Sequence, residues 1–169
     1  MRGATDKASI LAHANVVNIS AAAVIVQNDK VLLIKELTDG KPGYNFPSGK
    51  AHLDELIEQT AKREAMEETG YSIELTDLVG IYYYRTKGNS NDRKKDRITV
   101  RFNFWCRLSG EEQSQRPTKE TVSLEWVDAA RLRELTTTDG FRNWVSRQLA
   151  EDVLGKQKFP LTAVKQFKR

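Results

Sequence analysis

Cysteine is almost absent from this chain: Cys106 stands alone among 169 residues and cannot close an internal disulfide. A lone thiol points to a reducing compartment rather than to a stapled secreted scaffold. Histidine is nearly as scarce. His13 and His52 are isolated, and without a second cysteine they offer no nitrogen–sulfur set for zinc. Proline and glycine number only four and ten, which excludes collagen-like and low-complexity chains. Long apolar runs are missing too. The longest, Ala21 to Val26, falls far short of the roughly 20 residues a membrane-spanning helix requires. The stretch Met1 to Asn18 is interrupted by Asp6, Lys7 and His13, unlike the unbroken apolar block of a secretory leader. These absences predict a cytoplasmic protein with no membrane partner.

What remains is ordinary for a globular protein: 39% hydrophobic and 30% charged residues, in a length suited to one domain with its own core. The net charge of +4 is unevenly spread. Lys156, Lys158, Lys165, Lys168 and Arg169 crowd the last 14 residues without an acid, leaving the rest near −1. A body of that charge lacks the basic face that nucleic acid binding requires. The basic end reads as a solvated tail. The expected organisation is an extension over 1–18, one domain over 19–154 and a basic tail over 155–169.

The segments Val24–Gln27 and Val31–Lys35 read as strands around a turn at Asn28-Asp29-Lys30. Thr38 to Gly43 reads as a loop. Asp54 suits an N-cap, so a helix is expected from there to about Thr69, stopped by Gly70. Tyr71–Tyr84, Thr99–Leu108 and Leu124–Val127 read as strands. Asp128 should cap a short helix reaching Leu135, and a last helix should span Gly140–Leu154. This mixture predicts an α/β (α+β) domain, with a sheet covered by helices.

The informative segment is Gly49–Tyr71, GKAHLDELIEQTAKREAMEETGY. With Ile57 as the zero of a helical wheel, Ala61 falls near about 40° and Ala65 near about 80°, which marks the inward stripe. Glu64 lands at roughly −20° and Glu68 at roughly 20°, inside that stripe, with Glu67 flanking it at roughly −80°. Three acids at this spacing repel one another and destabilise a helix. A hard divalent cation removes the conflict, because carboxylate oxygens suit Mg²⁺ or Mn²⁺. A solvated face paired with Lys62 and Arg63 is the competing reading, and spacing alone leaves both open.

The flanking residues separate them. Gly49, Glu55, Arg63-Glu64, Glu67-Glu68 and Gly70 fall at the spacing of the Nudix box, which this segment resembles strongly. Ala65 and Tyr71 stand where a larger aliphatic is usual, and Pro47-Ser48-Gly49 replaces the more frequent Pro-Gly-Gly. The resemblance covers about residues 19–150 and includes Tyr44 and Glu125-Trp126-Val127. In general layout it is nearest to small bacterial Nudix phosphatases.

That resemblance implies a Nudix-type α/β/α sandwich with a mixed sheet between helices. It implies Mg²⁺-dependent (or Mn²⁺-dependent) hydrolysis of a diphosphate linkage by water, in a nucleoside diphosphate-linked or related small substrate. Glu64, Glu67 and Glu68, with the Gly49 carbonyl and a later acid for which Glu120 is the candidate, would hold metal. Arg63 would support Glu64 and Glu67 as catalytic residues, with Glu55 beside it. The base stays open among Glu64, Glu67 and Glu120, with Glu64 favoured. Lys50, Arg101, Tyr83 and Arg85 are the candidate substrate contacts. The charges of Lys87, Arg93, Lys94, Lys95 and Arg97 are read as mostly solvated loop residues, and Trp105, Trp126 and Cys106 as core. The partner expected is a small phosphorylated substrate, with a homodimer compatible with the family. Two other readings compete: a non-catalytic ligand sensor, which usually loses box glutamates that this chain keeps, and an RNA 5′-end pyrophosphohydrolase that uses the basic tail.

Overall fold

A strand buried on both faces organises the molecule. In the computed structural model, which describes residues 16–38, 40–86, 97–110 and 121–167, β1 (Val16–Gln27) carries the continuous apolar run. Ala21 to Ile25 have no solvent exposure. Their side chains alternate between two cores, as those of a sheet covered on both sides must. β1 turns into β2 (Lys30–Thr38) through Asn28 and Asp29, both at positive φ. This two-residue connection matches the twist of a hairpin, so Lys30 belongs to the strand rather than to the turn.

β3 (Lys41–Asn45) pairs antiparallel with β2. The loop expected over 38–43 is therefore mostly strand. Pro42 is tolerated because β3 is the edge of the sheet, where a missing N–H costs no ladder bond. β4 (Ser48–Lys50) pairs with residues 20–22 of β1. After the first helix come β5 (Ile73–Thr86), β6 (Arg97–Leu108) and β7 (Thr121–Val127). The order is β3-β2-β1-β6-β5, with β4 on β1 and β7 on β2; β1 and β6 run parallel and the other pairs antiparallel. The sheet is mixed, as expected.

The first helix, α1 (Ile57–Thr69), lays Ile57, Ala61 and Ala65 on Ala21, Ala23, Ile25 and Phe104. On the opposite face, α2 (Ala129–Thr137) and α3 (Trp144–Leu154) cover Ala22, Val24, Leu33 and Trp105. The result is an α/β/α sandwich. Asp128 caps α2 by accepting the Arg131 N–H at 2.8 Å. The last helix starts later than the periodicity suggests, at Trp144, capped by the Asn143 side chain, which accepts the Ser146 N–H at 2.9 Å. The residues before it are held instead on β3: the Tyr44 N–H donates to the Gly140 carbonyl at 2.8 Å and the Arg142 N–H to the Tyr44 carbonyl at 2.9 Å.

The chain beyond α3 departs from a solvated tail. Phe159 and Leu78 exchange two backbone hydrogen bonds of 2.8 Å, and Leu161 and Val164 pack on the α1-side core. The Gln166 side chain accepts the Ile57 N–H at 2.6 Å, satisfying a donor at the start of α1.

Candidate active site

The site is built where β4 meets the C-terminal half of α1. Gly70 ends this helix as anticipated, at φ 75° with its N–H on the Met66 carbonyl. The start differs: the expected cap, Asp54, lies outside, and the helix begins at Ile57. Glu55 is the reason. Its carboxylate turns back to accept the His52 N–H at 2.8 Å and the Thr60 hydroxyl at 3.0 Å, and takes both Nε and Nη2 of Arg63. A carboxylate held by a guanidinium fork stays ionised, and the Arg63 bonds bring Glu55 down to about 2.

Arg63 then reaches three more groups. Its Nη1 lies 2.7 Å from Glu64 and 3.1 Å from Glu67, and its Nη2 donates to the Lys50 carbonyl at 2.9 Å. One guanidinium thus ties the Glu55 loop, β4 and two carboxylates together. Glu64 is the more enclosed of these two, with 13% of its side chain exposed against 50% for Glu67. Burial raises the Glu64 pKa, partly opposed by Arg63. Glu68 faces inward and accepts the Ser48 N–H at 2.8 Å. Burial pushes it up to about 8, with further upward contributions from Glu64 and Glu36.

The wheel therefore placed Glu64 and Glu68 on the inward face and Glu67 on its flank, where they stand. They do not yet form a single chelate. Among the described residues no three metal-binding side chains converge on one point: Glu64 and Glu67 are drawn onto Arg63, whereas Glu68 turns to β4. Gly49 is the tightest contact, since a Cβ there would stand 2.0 Å from Oε1 of Glu64. A desolvated acid held above neutrality beside two more carboxylates is a set that a hard divalent cation would stabilise. The donors fit such an ion. Glu120 lies outside the described residues, as do Lys87, Arg93, Lys94 and Lys95.

On the other side of β4 lies a cleft of about 350 Å³. Ser48, Gly49 and Lys50 form one wall, and Arg101 lies in its lining with Tyr84. Of the four expected substrate contacts, Lys50 and Arg101 are therefore brought together. Tyr83 and Arg85 are not. Register explains this: Tyr84 pairs with Thr99 and so shares the face of Arg101, whereas Tyr83, 71% exposed, pairs with Val100 on the opposite face with Arg85. Tyr84 also meets Trp144 edge-on at 5.6 Å. Sequence reasoning missed Asn18, Ser20, Thr99 and Arg142, which complete the cleft. The signal for the first two was their shared parity with Ala22 in β1. It also missed Glu36, buried and paired with Arg142 at 2.7 Å. Trp105 and Cys106 are core residues, and Trp126 packs edge-on against Tyr71 at 6.1 Å.

The NUDIX domain model matches residues 17–148. The chain belongs to the Nudix family. Among proteins it is similar to, a Caenorhabditis elegans protein with a nudix hydrolase name is 31% identical over 126 residues, which are 72% of this chain and 31% of that one. The Escherichia coli phosphatase NudJ is 23% identical over 150 residues, covering 89% of this chain and 92% of that one. A solved NUDIX hydrolase from Nitrosomonas europaea superposes with a TM-score of 0.74 at 28% identity, over 89% of this chain and 97% of the other. The chain thus spans about a third of its nematode relative and nearly all of the two bacterial proteins. The residues that resemble the Nudix box, Gly49, Glu55, Arg63, Glu64, Glu67, Glu68 and Gly70, lie in the β4–α1 segment within that match.

Proposed function

We propose that this Nudix domain hydrolyses a diphosphate linkage in a small nucleotide-like substrate, using Mg²⁺ or Mn²⁺, in the cytoplasm. The observation that carries the reading is the placement of two desolvated carboxylates along β4: Glu64 against Gly49, where a Cβ would overlap it, and Glu68 on the Ser48 N–H. Such burial is costly for acids that serve only structure. Glu64, Glu67 and Glu68, with the Gly49 carbonyl, would hold the cation. When bound, it neutralises the phosphoryl oxygens as charge shifts to the leaving phosphate. Arg63 fixes the direction of Glu64 and holds Glu67 beside it until the cation draws it in. Glu64 takes the proton from the attacking water. Lys50 and Arg101 face the substrate from the cleft.

The test is mass-spectrometric product analysis for a panel of nucleotides and diphosphate conjugates with Mg²⁺ or Mn²⁺, in water labelled with ¹⁸O. With wild type, one of the two phosphate-bearing products of each cleaved bridge should carry the label, and Glu67→Gln should lose about a hundredfold or more in kcat. Equal turnover by the two proteins would place any observed hydrolysis elsewhere.

A further inference from the structure

Among the described residues, four buried side-chain atoms have no hydrogen-bond partner, and all four lie together. They are Oγ of Ser20, Nε and Nη2 of Arg101 and Oδ1 of Asn103. Ser20 pairs with Arg101 across the parallel β1–β6 ladder, and Asn103 follows two residues later on the same face. Nε and Nη2 form one edge of the guanidinium, the fork that matches two oxygens of a phosphate or carboxylate. The Tyr84 phenol engages Arg101, and Tyr82 and Glu68 are close enough to feel its charge.

An arginine that is 5% exposed with two unused donors is expensive. A methionine or leucine would pack there at lower cost, so the fold alone does not call for this residue. The surroundings show what it serves. Arg101 and Ser20 line the cleft, flanked by Asn18, Thr99 and Lys50, and among the described residues that line it none is acidic. Arg142 completes it, its own charge balanced by Glu36. The wall formed by β4 is shared with the carboxylate cradle, since Gly49 presses on Glu64 while Ser48 and Lys50 line the cleft. An occupant of the cleft is therefore the neighbour of a diphosphate held at the cradle.

We propose that Arg101, with Ser20 and Thr99, forms a subsite for a second oxyanion of the substrate, distinct from the diphosphate that is cleaved. This rests on the hydrolase reading above and narrows it: the preferred substrate carries a further phosphate or a carboxylate next to its diphosphate. Arg101 is then a specificity-determining residue.

Two experiments test it, and the first does not depend on turnover. In chelator, inorganic phosphate should raise the melting temperature of the wild type in a saturable way and leave Arg101→Met unmoved. Without phosphate, Arg101→Met should melt at the same temperature as wild type or higher, because it removes an unpaired buried charge. An equal phosphate response in both proteins, or none in the wild type, overturns the subsite. Ser20→Ala, a small change in a run of alanines, should weaken the response if Arg101→Met does not fold, and an unaltered response in Ser20→Ala then counts against the subsite.

The second compares turnover of matched pairs with Mg²⁺: a nucleoside triphosphate with its diphosphate, and a nucleoside-diphosphate uronic acid with the parent hexose. Wild type should favour the more anionic member by about tenfold or more in kcat/KM, and Arg101→Met should erase that preference through KM, with kcat within about threefold. Preference in the first pair alone assigns a phosphate, and in the second alone a carboxylate. If Arg101→Met impairs both members equally, the arginine grips the cleaved diphosphate itself and the proposal fails. If wild type cleaves nothing, the hydrolase reading fails, while the phosphate titration still decides the subsite.

Discussion

Gly49 and Glu64 are in contact so close that a methyl group on the glycine would overlap the carboxylate, 2.0 Å from Oε1. The atom in the way is the far end of a flexible side chain, so the clash is relieved by moving Glu64 rather than the backbone. Gly49→Ala should therefore change stability by less than about 1 kcal/mol. Its activity should fall by about a hundredfold, the scale expected when a catalytic group is displaced by about 1 Å. Denaturant melts beside kcat values check this. A large loss of stability with retained specific activity would contradict it.

Arg63 joins Glu55, Glu64, Glu67 and the Lys50 carbonyl. Lysine keeps the charge but not the planar fork, and cannot reach all four. Arg63→Lys should cost about 1–2 kcal/mol in urea unfolding, and Arg63→Met somewhat more, because Glu55 and Glu64 are then left enclosed without their cation. Both should lower kcat more than they raise KM, since Arg63 orients the carboxylates and does not line the substrate cleft.

Glu68 sets a pH dependence in chelator. Its pKa rises on folding from 4.5 to about 8, so the folded state holds a proton that the unfolded state releases. The penalty is absent below pH 4.5 and grows as pH rises towards 8. Glu68→Gln carries no such penalty. Thermal melts should show the mutant and wild type alike at acidic pH, with the mutant more stable by on the order of 4 kcal/mol near pH 8. Adding Mn²⁺ should reverse the order by stabilising wild type more. Parallel stability curves across the range would rule out a desolvated Glu68.

Gln166 accepts the first N–H of α1 from 109 residues away. Gln166→Ala leaves that donor without its partner and should cost about 1 kcal/mol, as lost helix caps do. Removing residues 157–169 should cost more, because it also strips the Phe159–Leu78 bridge and the Gln157 carbonyl that accepts Trp105 Nε1 at 2.7 Å. Chemical unfolding of both variants measures this, and a truncation without effect would show that the segment is dispensable.

These residues show where sequence was a sufficient guide. The inward positions of Glu64 and Glu68 followed from helical periodicity, because α1 is regular between Ile57 and Gly70. Its start was misjudged because Asp54 suits a cap locally, while Glu55, whose hold on Arg63 decides the geometry, acts over eight residues. Pro42 and Gly43 were read as loop because an edge strand tolerates them, and edges are not written in the local sequence. Three consecutive tyrosines gave no parity, so Tyr83 was chosen where Tyr84 lines the cleft. The pairing of Ser20 with Arg101 links strands 81 positions apart, and only register reveals it.

In the proposed mechanism Glu64, Glu67 and Glu68 share a divalent cation. Manganese soaked into crystals and located by its anomalous signal tests it most directly. The expected result is a peak bonded to Glu64 and Glu68 beside the Gly49 carbonyl, with Glu67 swung from Arg63 towards it. Crystals that bind manganese only at other carboxylates, leaving Glu67 on Arg63 and Glu68 on the Ser48 amide, would contradict it.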